Sequence, residues 1–522
     1  MAFFKQLAYS VICSVFTLCV KAQDSSDALL DSVAPIVYWH DRAYSPMHEM
    51  TMKNRVWIRD GFKNGTSVLA ISQAWGQGHL QPSQGADRIK NFRFDTEGKT
   101  RWNNTDFWGK FAYERTSEDS TALRHQTRWN EDAPFYYASM RKNKYSRETY
   151  KLDAAVQQQF MDGRIPVTLG IDYRIGSHYS NNDPRGDIAD MNLELDLAVG
   201  YRSDKWSYHL RGIMGYGSER VGVGYKNDKH GVGTENPEYT NWVMKGYGTM
   251  DAKVSNIRYE DFINRKGVGA NARYEIGPKH YIYFNTRYVL ENQSFKETNT
   301  SVDGYQILMD YDKDIVEGEL LWSKPLADGN TMILSLDGKM ERGADGLYML
   351  GVSTGQNNYV YQRDRIFGRG QYGIGKSVLM VSLGMIDLNR EDGTKGNKLT
   401  YTQLNSGAGY GYNFTLTGVL DLRAEINYAT RYALEHNLIM PVINEGEVAR
   451  RIIHHDYWYQ SATLHEWSTK WVLSNNRPHR NWSVSVQADY QRRGDLPTAE
   501  LSSSYRPGRD WFQGRVSLSY VF

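Results

Sequence analysis

"GRVSLSYVF", Gly514–Phe522, ends the chain and carries the pattern on which its fold turns. Val516, Leu518, Tyr520 and Phe522 are apolar, whereas Arg515, Ser517 and Ser519 between them are polar, and Val521 breaks the rule. Successive side chains of a strand point to opposite faces, so one face of this strand meets an apolar medium and the other a polar one. A soluble sandwich would turn the apolar face to its core, and an outer-membrane barrel would turn it to lipid.

Working outward, the far end of the chain narrows the choice. Met1–Ala22 carries Lys5, an apolar stretch from Leu7 to Val20, and Val20-Lys21-Ala22 before Gln23. This layout predicts a secretory leader over residues 1–22, since the apolar stretch is too short for a membrane helix. Both cysteines, Cys13 and Cys19, fall inside it, so the mature chain is expected to hold no disulfide and no thiolate chemistry. The 62 Lys and Arg, less the leader's two lysines, equal the 60 Asp and Glu. A balanced charge gives no support to a nucleic-acid partner. Mean hydropathy of −0.62 excludes a helical membrane protein. The 47 glycines, 37 tyrosines and 14 tryptophans suit a sheet with aromatic girdles.

Reading upstream from Phe522, tight turns rich in Gly, Pro, Asn and Asp alternate with long polar loops. The turns are "SNNRPH" (474–479), "NFTLTG" (413–418), "GIGKS" (373–377), "KPLADGN" (324–330), "IGPKH" (276–280), "RSDKW" (202–206), "MDGR" (161–164) and "EGKT" (97–100). The largest loop is expected near Ser218–Lys266. Counting between these landmarks predicts about 18 strands, within a range of 14 to 18, beginning near Gly65. Short turns on one side and long loops on the other characterise antiparallel up-and-down membrane barrels.

Strand faces support that reading. Leu420, Leu422, Ala424, Ile426 and Tyr428 alternate with Asp421, Arg423, Glu425 and Asn427. Met191, Leu193, Leu195, Leu197 and Val199 alternate with Asn192, Glu194 and Asp196, and Val316, Leu320 and Trp322 with Glu317 and Glu319. A sandwich of this length would divide into repeats of about 100 residues, and neither a repeat nor a linker divides this chain. The expected fold is therefore all-β: a single transmembrane barrel over 65–522, in the cell outer membrane.

A chain ending in aromatic-x-Phe, here Tyr520-Val521-Phe522, resembles outer-membrane barrels. That resemblance implies that Tyr520 and Phe522 form the signal read by the assembly machinery. The "KAQ" junction at 21–23 resembles exported proteins of the Bacteroidota, and the layout is similar to an uncharacterised barrel family of that phylum. The same resemblance implies outer-membrane lipid as surroundings and a neighbouring TonB-dependent uptake system as a partner. A TonB-dependent receptor itself would need a plug domain and 22 strands, more than this chain holds.

The inward charges Glu194, Asp196, Glu317, Glu319, Asp421, Arg423 and Glu425 are the candidate lumen lining, hydrated or packed as pairs. Residues 23–64 precede the first strand and include the aromatic "PIVYWHDRAYSPMHEM" (35–50). They are expected either to insert into the lumen as a hatch or to fold against the periplasmic rim.

"IIHHDYWYQSATLHEW" (452–467) gathers His454, His455, Asp456, Trp458 and His465 as candidate loop ligands. Imidazole and carboxylate suit a transition metal or haem, and the aromatics suit a sugar. An interfacial girdle running into a strand is the reading preferred, so no metal or cofactor is assigned. "DYDKD" (310–314) fails as a calcium loop, having Ile315 in place of Gly and Leu321 in place of Glu. "GRGQYG" (368–373) has no helix after it and is glycine in a wall. The Arg-Gly-Asp triplets at 185–187 and 493–495 read as polar turns in outer loops. No Gly-x-Ser-x-Gly elbow accompanies the histidines, so no catalysis is assigned. The expected function is a pore or uptake-associated transporter for a small polar solute. The alternatives are a binding or adhesion surface on a sealed barrel, and less favourably a barrel-borne hydrolase.

Overall fold

The computed structural model describes residues 50, 53–60, 65–126, 132–231, 236–253, 256–298, 305–326, 330–347, 357–441, 446–475, 481–496, 501 and 503–522. Residues 1–49, and with them the expected leader, lie outside the described residues. Eighteen antiparallel strands form one sheet, and the sheet closes on itself. The last strand, Asp510–Val521, pairs on one side with Asn481–Arg493 and on the other with the first strand, Thr66–Gly78. Gly514–Phe522 thus seals the cylinder, which leaves no sheet edge unpaired. Val521, the residue that breaks the alternation, faces inward and is buried against Val68 across the seam.

The wall is inside-out relative to a soluble protein. Along Trp206–Gly224 the residues Ser207, His209, Arg211, Ile213 and Glu219 are buried, while Tyr208, Leu210, Met214 and Tyr216 between them are exposed. Leu210 is 74% and Met214 68% exposed, whereas Arg211 between them is 7% exposed. Apolar side chains on the outside and charges on the inside suit a wall standing in hydrocarbon. Aromatic clusters mark two levels of the outer face. Trp206 stacks on Tyr274 near the short-turn rim, and Tyr428, Trp467 and Tyr490 pack together towards the loop rim. Barrel strands of 12 to 21 residues exceed the roughly 9–11 that cross a bilayer. The wall therefore rises past the apolar band at the loop rim.

The expected turns at 161–164, 202–206, 276–280 and 373–377 lie at strand junctions. "EGKT" (97–100) does not: it lies within the strand Arg88–Trp102, which turns at Asn103, whose φ is +50°. Glu97 and Lys99 are buried inward-facing residues, so their polarity marks the lumen and not a turn. The expected loop over 218–266 is also shorter than the sequence suggests, since one strand runs to Gly224 and the next begins at Ile257.

The connections on the loop rim fold inward. Phe135–Ala138, Asn241–Lys245 and Thr249–Lys253 make a second, three-stranded sheet, and Glu447–Ser461 is a helix. Ile452–Trp467 is thus mostly helical and runs into a strand only at Leu464. Phe135, Tyr137, Tyr247, Ile453 and Trp458 from these elements pack in one buried cluster with Val221, Tyr259, Phe295, Tyr311, Tyr359 and Tyr401 of the wall. The hairpin between the two inner strands turns at Gly246 and Gly248, whose φ of +80° and +115° disfavours any residue with a Cβ. Asp392 accepts hydrogen bonds from the backbone N–H of Tyr247 at 2.8 Å and of Thr249 at 3.2 Å, and Asn397 donates to the Tyr247 carbonyl at 2.9 Å. These contacts pin the hairpin tip to the wall.

Candidate binding chamber in the lumen

One strand, Tyr305–Pro325, shows how the interior is layered. From the loop rim downward its inward residues are Met309 and Tyr311, then Lys313, Ile315 and Glu317, then Glu319 and Leu321. The first pair belongs to the loop-side aromatic cluster. The last two meet the N-terminal segment. The middle three line a cavity of about 440 Å³.

The N-terminal segment lies inside the barrel over its described residues. Val56, Trp57 and Ile58 have no exposed surface. Trp57 packs edge-on against His209 and Tyr283 at 4.8 and 5.5 Å, and its indole N–H donates to Asn285 Oδ1 at 2.9 Å. Ile58 packs against Trp108 and Ala155. Arg55 Nε donates to Asp153 Oδ1 at 2.7 Å, its Nη1 bonds Asp196, and its Nη2 lies 3.7 Å from Asp172. Burial alone would lower the guanidinium's affinity for its proton, but Asp153 and Asp196 outweigh it and hold the pKa above its ordinary value. Gly170 makes this fit possible, because a Cβ there would lie 2.6 Å from Arg55 Cδ. Glu319 binds Lys53 and accepts from Asn54 Nδ2 at 3.0 Å, and Asp60 pairs with Arg273 at 2.9 Å.

Above this segment the chamber is lined by seven cationic and five anionic side chains. Most form two alternating chains of charge. Lys313 stands 2.9 Å from Asp132 and 3.2 Å from Glu291, which also binds Arg265. Arg287 lies 2.6 Å from Glu317 and 3.7 Å from Glu194, and Lys339 lies 2.8 Å from Glu341 and 3.7 Å from Glu317. Arg211 belongs to neither chain.

Of the sequence-derived lumen candidates, Glu194 and Glu317 line the chamber, and Asp196 and Glu319 hold the N-terminal segment. Asp421, Arg423 and Glu425 stand on Leu420–Ile439, a strand that contributes no residue to the chamber, where Arg423 pairs with Glu425 at 2.6 Å. Sequence reading missed Arg55, Arg211, Arg265, Arg287, Lys313 and Lys339. The alternation that marked Glu194 was present in "SYHLRGIM" (207–214) and would have marked Arg211.

The loop candidates separate. His454 packs on Tyr505 at 5.8 Å, His455 Nε2 donates to the Gln81 carbonyl at 2.7 Å, and Asp456 accepts from Ser83 N–H at 2.8 Å. Burial, with Arg450 adding repulsion, lowers the His454 pKa, and burial raises that of Asp456. Trp458 is wholly buried in the aromatic cluster. His465 stands on the outer face and bonds Tyr428 Oη at 2.7 Å. Among the described residues no three His, Cys, Asp or Glu are grouped to hold a metal ion. Tyr520 and Phe522 stack at 5.9 Å on the outer face at the short-turn rim.

A model of the family described as "Family of unknown function (DUF6850)" matches residues 56–522. No curated protein matches the chain. Among solved structures, the chain is similar to the siderophore receptor PiuA from Acinetobacter baumannii at 10% identity and TM-score 0.38, covering 87% of this chain and 82% of that one. It is similar to the copper transporter OprC at 10% identity and TM-score 0.40, covering 87% and 81%. It is likewise similar to the outer membrane protein OpdK from Pseudomonas aeruginosa at 12% identity and TM-score 0.33, covering 88% and 98%.

Proposed function

The chain belongs to that family of unknown function, and we propose that it is an outer-membrane barrel that passes a small polar solute, with its N-terminal segment as the gate. The observation that carries this reading is the stacking of Arg55–Trp57 beneath a charged chamber of about 440 Å³. That volume lies in the range of small-molecule sites, roughly 300–1,000 Å³. Simple diffusion through an open lumen does not suit a barrel filled at both levels, so passage requires the segment to move. Its contacts with the wall are ion pairs of Lys53, Arg55 and Asp60 and the packing of Trp57 and Ile58, and a pull from the short-turn side could exchange the ion pairs for water.

The test is single-channel conductance of the full-length protein in planar bilayers, beside the double variant Arg55→Met/Trp57→Ala. The expected result is a quiet wild type and a conducting variant. Silence of both, with insertion verified, would overturn the transport reading.

A second reading is favoured by the loop-side cluster. Its inner sheet and helix bury Tyr, Trp and Phe side chains as a soluble core does. A barrel closed there would serve as an anchor for a binding surface on the loop rim.

A further inference from the structure

Among the described residues, every other cation lining the chamber has a carboxylate within 4 Å and Arg211 has none. Its side chain is 93% buried by residue surface, yet it makes no ion pair and no hydrogen bond among the described residues, and its Nε is a buried donor without an acceptor. The carboxylates that act on it through space, Asp196 and Glu194, are engaged by Arg55 and Arg287. A buried charge is ordinarily paired, because losing water without a partner is costly. The wall beside it is also thinned. Gly269 is its cross-strand partner, and a Cβ there would lie 3.2 Å from Arg211 Nε. At Gly215, the inward position two pairs along the same strand, the wall again carries no side chain. Arg211 lines the chamber, and glycine at 269 leaves its side chain the space that a Cβ would take.

We propose that Arg211 is the anion-binding residue of the chamber, and that the solute held there carries a small oxyanion, a carboxylate or a phosphate. The planar guanidinium offers parallel N–H donors that match two oxygens of such a group. The carboxylates of the chamber are already bonded to Arg and Lys, so they shape the site without cancelling Arg211. This inference rests on the reading of the chamber as part of the transport route, but equilibrium binding tests it separately from flux.

The experiment is calorimetric titration of the full-length protein in detergent with benzoate, glutarate and inorganic phosphate, each beside a neutral counterpart for the carboxylates, benzamide and glutaramide. At least one anionic probe is expected to bind saturably and its neutral counterpart not to bind. A carboxylate binding without phosphate, or the reverse, identifies the source of the oxyanion. Arg211→Met is expected to weaken binding at least tenfold, and Arg211→Lys, which keeps charge but loses the fork, to fall between. Ile315→Glu, which adds a carboxylate to the same chamber without touching Arg211, is expected to abolish binding even if Arg211→Met proves hard to fold. Heat-modifiable migration in gels verifies the closed barrel in each variant. Absence of binding by all three anions, equal binding of the neutral probes, or unchanged affinity in Arg211→Met would each overturn the proposal. Arg211-dependent binding with no flux through the opened gate would uphold the anion site and sink the transport reading. Flux indifferent to charge and to Arg211→Met would do the opposite.

Discussion

Arg55 shows what a single side chain does here. It neutralises Asp153 and Asp196, two carboxylates of the wall, from a segment that is otherwise held mainly by Trp57 and Ile58. Arg55→Met leaves the buried Asp196 without its ion-pair partner, and breaking a buried pair costs on the order of 3–5 kcal/mol. The expected outcome is release of the segment rather than unfolding of the barrel. A Val56→Cys probe in a chain whose Cys13 and Cys19 are replaced by Ser is expected to resist a maleimide when Arg55 is kept and to react when Arg55→Met is added; equal protection in both would sink the idea. His125 gives a pH dependence at the same scale. Its imidazole is buried against Tyr145 and Ser139, and burial, with Arg147 adding repulsion, lowers its pKa to about 3. The unfolded chain takes up that proton near pH 6.5 and the folded chain only near 3, so the folded state loses stability steadily as pH falls across that window. His125→Asn is expected to flatten this part of the profile of urea midpoint against pH, and an unchanged slope would assign the loss to other groups.

At the scale of elements, the helix Glu447–Ser461 and the inner sheet decide whether the loop side is open. Composition favoured an interfacial girdle running into a strand for Ile452–Trp467, because His, Tyr and Trp are expected in such girdles. The helix buries Val448, Ala449, Ile452, Ile453, Tyr457 and Trp458, an i, i+4 and i+5 pattern that reads as one buried face. Its N-cap is Gly446 with no side-chain cap bond, so packing rather than capping holds it. Trp458→Ala is expected to cost the loop-side fill about 3–5 kcal/mol, as removal of a wholly buried Trp does. Limited proteolysis of intact vesicles should then cut the inner sheet and helix while the eighteen barrel strands stay protected. Wild-type resistance in the variant would show that the helix does not depend on this residue.

For the whole molecule, the distribution of polarity makes the strongest prediction. Leu210 is 74% exposed, and in a soluble protein Leu210→Arg would be nearly silent, within about 0.5 kcal/mol. In a barrel standing in lipid the same change costs about 2–4 kcal/mol at mid-bilayer and is expected to lower the yield of heat-modifiable, vesicle-inserted protein. Leu210→Val is expected to leave that yield unchanged. Loss in both, or in neither, would contradict a lipid-facing position. Phe522→Ala tests the proposed assembly signal: the barrel is expected to refold in detergent yet to accumulate poorly in cell envelopes.

The sequence by itself determined a closed barrel of about eighteen strands, within a range of 14 to 18, because strand alternation and turn chemistry are local and a single residue shift would turn every charge outward. It also determined which face of a strand is polar, and so placed Glu194, Asp196, Glu317 and Glu319 inside. Only the tertiary structure decided what fills that interior. Residues 53–60 meet the wall, Asp153, Asp196, Asn285 and Glu319 among it, some 90 to 270 residues away, and nothing in their own order announces those partners. Glu97 and Lys99 misled as a turn for the same reason, since a charged inward pair and a polar turn look alike until the opposite wall is present. Arg211 is the extreme case. Its pattern marks it as inward-facing, but that among the described residues it alone of the chamber's cations lacks a carboxylate within reach depends on which neighbours seven other strands and the N-terminal segment bring around the same cavity.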